Sequence, residues 1–132
     1  MKKYLVVTLV CLSSLFWACE EPKEEEEPNK MYIIEVFELP FFDNLEYDEI
    51  VIIEFDKNGN RLCQNRIPLL AVGESEAFVA KKNANQLKIY FHCDLSNTFC
   101  FQEELLFKGT NEFELLGSEI TGEEYFDAVL GQ

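Results

Sequence analysis

Apolar and polar residues alternate in short runs from residue 31 onward, a period-two pattern that is typical of β-strands. The clearest run extends from Gln86 to Cys93, where every second residue is apolar. Other runs are predicted at 31–37, 49–55, 61–67, 75–82, 98–108 and 112–116. The pattern predicts an all-β, mainly antiparallel domain of about seven strands, built as a small meander barrel or as a β-sandwich.

Turn residues separate these runs. Asn58-Gly59 is a strong hairpin signal, and further turns are predicted at 83–85, 94–97 and 109–111. Pro68 is expected to end the strand that precedes it. Near the end of the chain, Thr121 and Glu124 have the spacing of a capping box, which predicts a short C-terminal helix.

The start of the chain differs from the rest. Lys2 and Lys3 are followed by an uncharged stretch, residues 4–18, which is too short to span a membrane comfortably and has the order of an export signal. The run Leu15-Phe16-Trp17-Ala18-Cys19 resembles the signal peptide of a bacterial lipoprotein, in a relaxed form with bulky residues before the small Ala18. The resemblance covers residues 1–19 and implies cleavage between Ala18 and Cys19, with acylation (palmitate) of Cys19.

Residues 19–30 are polar and contain two prolines and six glutamates. This composition predicts an extended tether between lipid and domain. The acidic stretch is also similar to surface-export signals of some outer-membrane lipoproteins, which favours display on the cell surface. A plain spacer facing the periplasm is the alternative. The chain is therefore divided into a signal peptide (1–18), a tether (19–30) and one globular domain (31–132).

The charge of the protein is strongly negative. The chain has 25 acidic and 11 basic residues, and loss of Lys2 and Lys3 with the leader moves the net charge from −14 to −16. Nucleic acid binding depends on basic side chains that neutralise phosphates, so a nucleic acid partner is not expected.

Three cysteines, Cys63, Cys93 and Cys100, remain after the leader is removed and Cys19 is acylated. Cys93 and Cys100 flank a turn and form one candidate disulfide, although strand alternation places them on opposite faces unless a bulge intervenes. A Cys63–Cys93 bond and three buried free thiols are the alternatives.

The sequence contains no recognisable catalytic or cofactor motif, and we expect a protein that is not an enzyme and needs no cofactor. His92 is the single histidine, and it lies beside Cys93, but adjacent strand residues point to opposite faces and cannot readily share a proton. One histidine also leaves zinc without a recognised ligand set. The oxygen-rich stretch that includes Asp43, Glu46 and Asp48 is expected to form a loop, and it is a calcium candidate that lacks an EF-hand pattern.

The leading functional hypothesis is a membrane-anchored, non-enzymatic binding module with a protein or glycan partner. A contact patch is predicted at Phe37, Phe41, Phe42 and Tyr47, if these aromatic residues are exposed rather than packed. A first alternative is an inhibitor of secreted proteases, with an extended loop at 67–73 that contains Pro68, Leu69 and Leu70. A second is a carrier of a small apolar ligand inside a β-barrel.

Overall fold

A computed structural model describes residues 29–36 and 45–131. These residues form eight strands and one helix, so the prediction of an all-β domain with a short C-terminal helix is confirmed. The elements are β1 (Lys30–Glu35), β2 (Glu46–Phe55), β3 (Arg61–Ala71), β4 (Ser75–Val79), β5 (Gln86–Cys93), β6 (Thr98–Leu105), β7 (Gly109–Glu114), β8 (Ser118–Ile120) and α1 (Gly122–Leu130).

The strands form two sheets that make a sandwich. Sheet A has the order β4-β1-β7 and sheet B the order β3-β2-β5-β6-β8. All pairings are antiparallel except that of β1 with β7, which is parallel. Only the β2–β3 and β5–β6 hairpins stay within one sheet, and every other connection crosses to the opposite sheet. The meander barrel, one of the two predicted architectures, is therefore not formed.

The main core lies between the sheets and follows the alternation of the strands. On β5, the side chains of Leu87, Ile89, Phe91 and Cys93 are buried in this core. Tyr32 and Ile34 of β1 face them from sheet A and are fully buried. Each large apolar side chain buried in this way contributes about 2 kcal/mol to stability.

A second, smaller core lies on the outer face of sheet B. Val51 and Ile53 are buried there but do not belong to the cluster between the sheets. Helix α1 packs against this face. Its residue Tyr125 is buried between the helix and the sheet, with 4.6 Å between the ring centroids of Tyr125 and Phe99. Val51 and Ile53 thus lie on the face of sheet B against which the helix packs.

The predicted turn chemistry is confirmed where it is local. Gly59 has a φ of +85° in the β2–β3 turn, a conformation that favours glycine. At the start of α1, the Thr121 hydroxyl accepts from the Glu124 backbone N–H at 3.0 Å. The Glu124 carboxylate in turn accepts from the Thr121 N–H at 2.8 Å, which completes the capping box.

Several predicted boundaries are wrong. Pro68 does not end β3, because β3 is an edge strand of sheet B. At an edge, the N–H that proline lacks is not needed for a hydrogen bond to a neighbouring strand. Residues 46–48, predicted as loop, belong to β2, and the irregularity comes at Glu49, whose φ is +49°. The predicted turn at 109–111 is the start of β7, and β8 was not predicted.

A polar network joins the two sheets inside the core. Glu54 of β2 is fully buried and accepts a hydrogen bond from the Tyr32 hydroxyl of β1 at 2.9 Å. It also accepts from the Lys81 backbone N–H at 2.8 Å and from the Asn65 amide at 3.3 Å. Asn65 donates a further hydrogen bond to the Tyr32 hydroxyl at 2.7 Å. The buried carboxyl group of Glu54 therefore accepts hydrogen bonds from three donors, so its burial is compensated.

Candidate functional site

Among the described residues, a pair of clefts lies along one side of the sandwich, where β6 of sheet B approaches β7 of sheet A. Two adjoining cavities of about 760 and 610 Å³ share the side chains of Glu103, Glu104, Glu112 and Phe113. Together they form one groove, which we call the acidic groove. Its five carboxylates are Glu35, Glu103, Glu104, Glu112 and Glu114.

The charge of the acidic groove is not neutralised from within. Its lining contains no lysine or arginine. Within the described part of the chain, none of the five carboxylates forms an ion pair. Glu103 and Glu104 instead accept hydrogen bonds from the neutral amides of Gln86 and Gln102, at 2.9 and 2.8 Å. The groove is thus a concentrated negative surface that favours cationic ligands.

Gln102 fixes the floor of the acidic groove. Its amide nitrogen donates to the Glu114 carbonyl at 2.8 Å. Its amide oxygen accepts from the backbone N–H groups of Leu116 and Gly117, at 2.9 and 3.0 Å. One side chain of sheet B therefore holds the β7–β8 connection in place, and the groove has a defined shape.

The acidic groove is flanked by exposed apolar side chains and by strand edges that pair with no other described strand. Leu105, Phe107 and Leu116 are 56, 65 and 68% exposed. β7 is an edge strand of sheet A, and β8 pairs with β6 only from Phe99 to Phe101. An extended peptide could pair with such an edge and place alternate side chains in the groove.

A second cluster of polar side chains lies on the outer face of sheet B. Asp48 and His92 are cross-strand partners, with Asp48 Oδ1 2.7 Å from His92 Nδ1. His92 Nε2 is 2.8 Å from the Asn97 amide oxygen. Burial alone lowers the pKa of His92, but the hydrogen bonds to Asn97 and Asp48 and the charge of Asp48 outweigh it and raise that pKa above 6.5.

Asp94 completes this cluster from the β5–β6 turn. One ring nitrogen of His92 and one carboxylate oxygen from each of Asp48 and Asp94 lie within 4.8 Å of one another. In the sequence, Asp48 belongs to a calcium candidate with Glu46 and Asp43. The structure groups Asp48 with His92 and Asp94 instead, while Asp43 lies outside the described residues. The 44-residue separation of Asp48 from His92 left no signal in the sequence.

The predicted contact patch is described only at Tyr47. Its ring is half-buried against the core and makes an edge contact with Phe91, at 5.0 Å between centroids. Tyr47 is therefore a packing residue. Phe37, Phe41 and Phe42 lie outside the described residues.

The segment predicted as an inhibitory loop is not a loop. Pro68, Leu69 and Leu70 belong to β3, where Leu69 pairs with Asp48 and Leu70 with Tyr47. Leu70 is buried in the core, and only Pro68 and Leu69 are exposed. The turn itself lies at residues 72–73.

The three cysteines of the domain are free thiols in the structure. Cys93 and Cys100 share the inner face of sheet B, because Cys100 pairs with Phe91, a residue on that face. The prediction that Cys93 and Cys100 point to opposite faces was wrong, because the face of Cys100 depends on the register between β5 and β6. Burial raises the pKa of Cys63 to about 11, aided by the Glu54 charge, and burial also raises that of Cys100. High thiol pKa values oppose a nucleophilic role.

His92 and Cys93 point to opposite faces of sheet B, as predicted. His92 lies on the outer face against Phe99, at 4.8 Å between ring centroids, and Cys93 lies in the core.

Ala18 and Cys19, the predicted cleavage and lipidation residues, lie outside the described residues. Among the residues that the structure describes, no helix is long and apolar enough to cross a membrane.

Comparisons with family models, with curated proteins and with solved structures found no match for this chain.

Proposed function

We propose that this protein is an exported lipoprotein whose sandwich domain binds a cationic, partly apolar segment of another protein in the acidic groove. The observation on which this depends is a groove of five carboxylates, none of which forms an ion pair with another described residue, bordered by exposed apolar side chains. Lysine or arginine side chains would meet the carboxylates, and apolar side chains would contact Leu105, Phe107 and Leu116.

The free edge of β7 supports an extended conformation for the bound segment. Backbone hydrogen bonds to this edge would supply affinity without regard to sequence, whereas the groove would select for positive charge. In a segment that alternates basic and apolar residues, one set faces the carboxylates and the other the apolar border.

A short peptide that alternates lysine and valine tests this proposal against the purified protein by calorimetry. The double variant Glu104→Gln, Glu112→Gln should bind it about tenfold more weakly, since each lost charge pair is worth roughly 0.5–1 kcal/mol. The matched control is Glu76→Gln, Glu123→Gln, which removes the same charge from exposed positions outside the groove. Equal weakening by both variants, or no binding by the wild type, would contradict the proposal.

The role of the strand edge is tested separately. Methylation of alternate backbone nitrogens in the peptide removes donors but leaves every side-chain charge in place. Binding through β7 predicts a large loss of affinity when the methylated nitrogens face the strand and little loss when they face away. Equal affinities for the two peptides would mean that the segment does not extend the sheet.

The membrane anchor is supported by the residues of the leader, from Lys2 to Cys19. Growth with a palmitate analogue should label the wild type, and Cys19→Ala should abolish the label. Cys11→Ala is the matched control, because Cys11 lies within the segment removed by cleavage. Equal labelling of Cys19→Ala and wild type would contradict lipidation at this residue.

Placement on the outer surface of the outer membrane is the further part of this proposal. It is supported by the acidic stretch at residues 20–27 within the tether. Protease treatment of intact cells should remove the domain, whereas complete protection would place it on the periplasmic face.

A further inference from the structure

The Asp48 and His92 pair is built on rigid elements. Both residues lie on central strands of sheet B, β2 and β5, and they face each other across the ladder. The ring of His92 is also packed against Phe99. The relative positions of the carboxylate and the imidazole are therefore fixed by the sheet.

The hydrogen bond to Asn97 determines which ring nitrogen of His92 carries a proton. An amide oxygen only accepts, so His92 Nε2 must donate its proton to Asn97 Oδ1 across the 2.8 Å separation. The other nitrogen, Nδ1, then faces Asp48. Histidines that bind metal ions usually donate a hydrogen bond from the N–H of the second ring nitrogen to such an acceptor, which fixes the tautomer.

The three side chains of this cluster differ in their exposure to solvent. The side chains of His92 and Asp48 are 14 and 32% exposed, whereas Asp94 is exposed in the turn. A cavity of about 420 Å³ adjoins Asp48 and His92 and is also lined by Phe99, Tyr125 and Phe126. Two ligands are thus held in place and a third lies on a turn that faces solvent, which leaves room for water.

We propose that Asp48, His92 and Asp94 bind a divalent transition-metal cation, of which Zn²⁺ is the best match because zinc also accepts carboxylate oxygens as ligands, so that the two aspartates take the place of the further histidines that the sequence lacks. One imidazole nitrogen and two carboxylate oxygens form a mixed donor set, whereas Ca²⁺ and Mg²⁺ take oxygen ligands alone. Three protein ligands leave one tetrahedral position to water, an open site of the kind that zinc forms with three side chains. The ion would take the place of the proton between His92 Nδ1 and Asp48.

The single histidine of the chain makes the site directly observable. In untagged, ¹⁵N-labelled full-length protein stripped with chelator, the imidazole signals can arise only from His92. One equivalent of Zn²⁺ should shift the Nδ1 resonance strongly and leave Nε2 protonated. Zinc binding that leaves both ring signals unchanged would mean that other groups, such as cysteine thiols, bind the ion, and it would overturn the proposal, as would the absence of binding.

Variants test each ligand by competition with a chromophoric zinc chelator. His92→Gln, Asp48→Asn and Asp94→Asn should each weaken binding at least tenfold. Asp127→Asn, an exposed aspartate on α1, should not change it. Asn97→Ala should weaken binding about tenfold through loss of the second ring hydrogen bond. Wild-type affinity in both His92→Gln and Asp94→Asn would refute the site, and a preference for Ca²⁺ over Zn²⁺ would refute the mixed donor set.

Discussion

The buried Glu54 network makes a specific prediction about stability. Tyr32→Phe removes one hydroxyl from a fully buried side chain and leaves the packing of the ring unchanged. The variant loses the hydrogen bond to Glu54 and the acceptor that Asn65 uses. Since hydrogen bonds to a carboxylate contribute about 1.5–3 kcal/mol, we expect the free energy of unfolding to fall by about 2 kcal/mol. For a domain of this size, Tm would fall by roughly 10 °C.

The matched control is Tyr90→Phe. The Tyr90 ring is half-buried on the outer face of sheet B, 5.0 Å from that of Phe101, and its hydroxyl has no hydrogen bond within the described residues. Its removal should change stability by less than about 0.5 kcal/mol. Urea titrations of both variants, followed by circular dichroism, provide the comparison. Equal losses would show that the Tyr32 hydroxyl adds nothing beyond its volume, and the reasoning would fail.

The same network predicts a dependence on alkaline pH. Burial, and then the charge of Glu54, raise the pKa of Tyr32 in the folded protein above its usual value of 10.0. Its contribution to stability is therefore complete below pH 10 and is lost as the pH rises further, because the unfolded chain ionises first. Tyr32→Phe should make this alkaline loss less steep. An unchanged slope would mean that Tyr32 titrates equally in both states.

Three further predictions concern packing, capping and thiol reactivity. Gly117→Ala would place a Cβ 2.7 Å from the buried ring of Phe91, and we expect a loss of about 1–3 kcal/mol in urea titrations. Thr121→Ala removes the cap of α1 and should cost about 1 kcal/mol in the same assay. Cys63, with its pKa raised to about 11, should react with iodoacetamide near neutral pH far more slowly in the folded than in the unfolded protein. Glu54→Gln should accelerate that reaction as judged by peptide mass mapping, whereas an unchanged rate would exclude the Glu54 charge as a cause.

Sequence patterns predicted those parts of the fold that depend on neighbouring residues. β5 was predicted with its observed bounds because its alternation is regular, and the capping box of α1 lies within four residues. The limits of β3 were not predicted, since the effect of Pro68 depends on whether a strand lies at an edge. Local pattern does not contain that information.

The acidic groove and the cluster of Asp48 with His92 were not predicted from the sequence, for a related reason. The acidic groove exists because β6 and β7 lie in different sheets, and its glutamates read in the sequence as ordinary solvated positions. The pairing of Asp48 with His92 depends on the register between β2 and β5, which is irregular at Glu49. Neither the sheet order nor the bulge can be read from alternation alone.

The position of β1 determines how the domain bears mechanical load. Any tether that precedes Asn29 pulls on β1, which is the central strand of sheet A and is paired with β4 on one side and β7 on the other. Tension on the chain cannot peel this strand from an edge, because both ladders must yield together. A pull between such a tether and a partner held in the acidic groove would therefore be resisted by both ladders of β1.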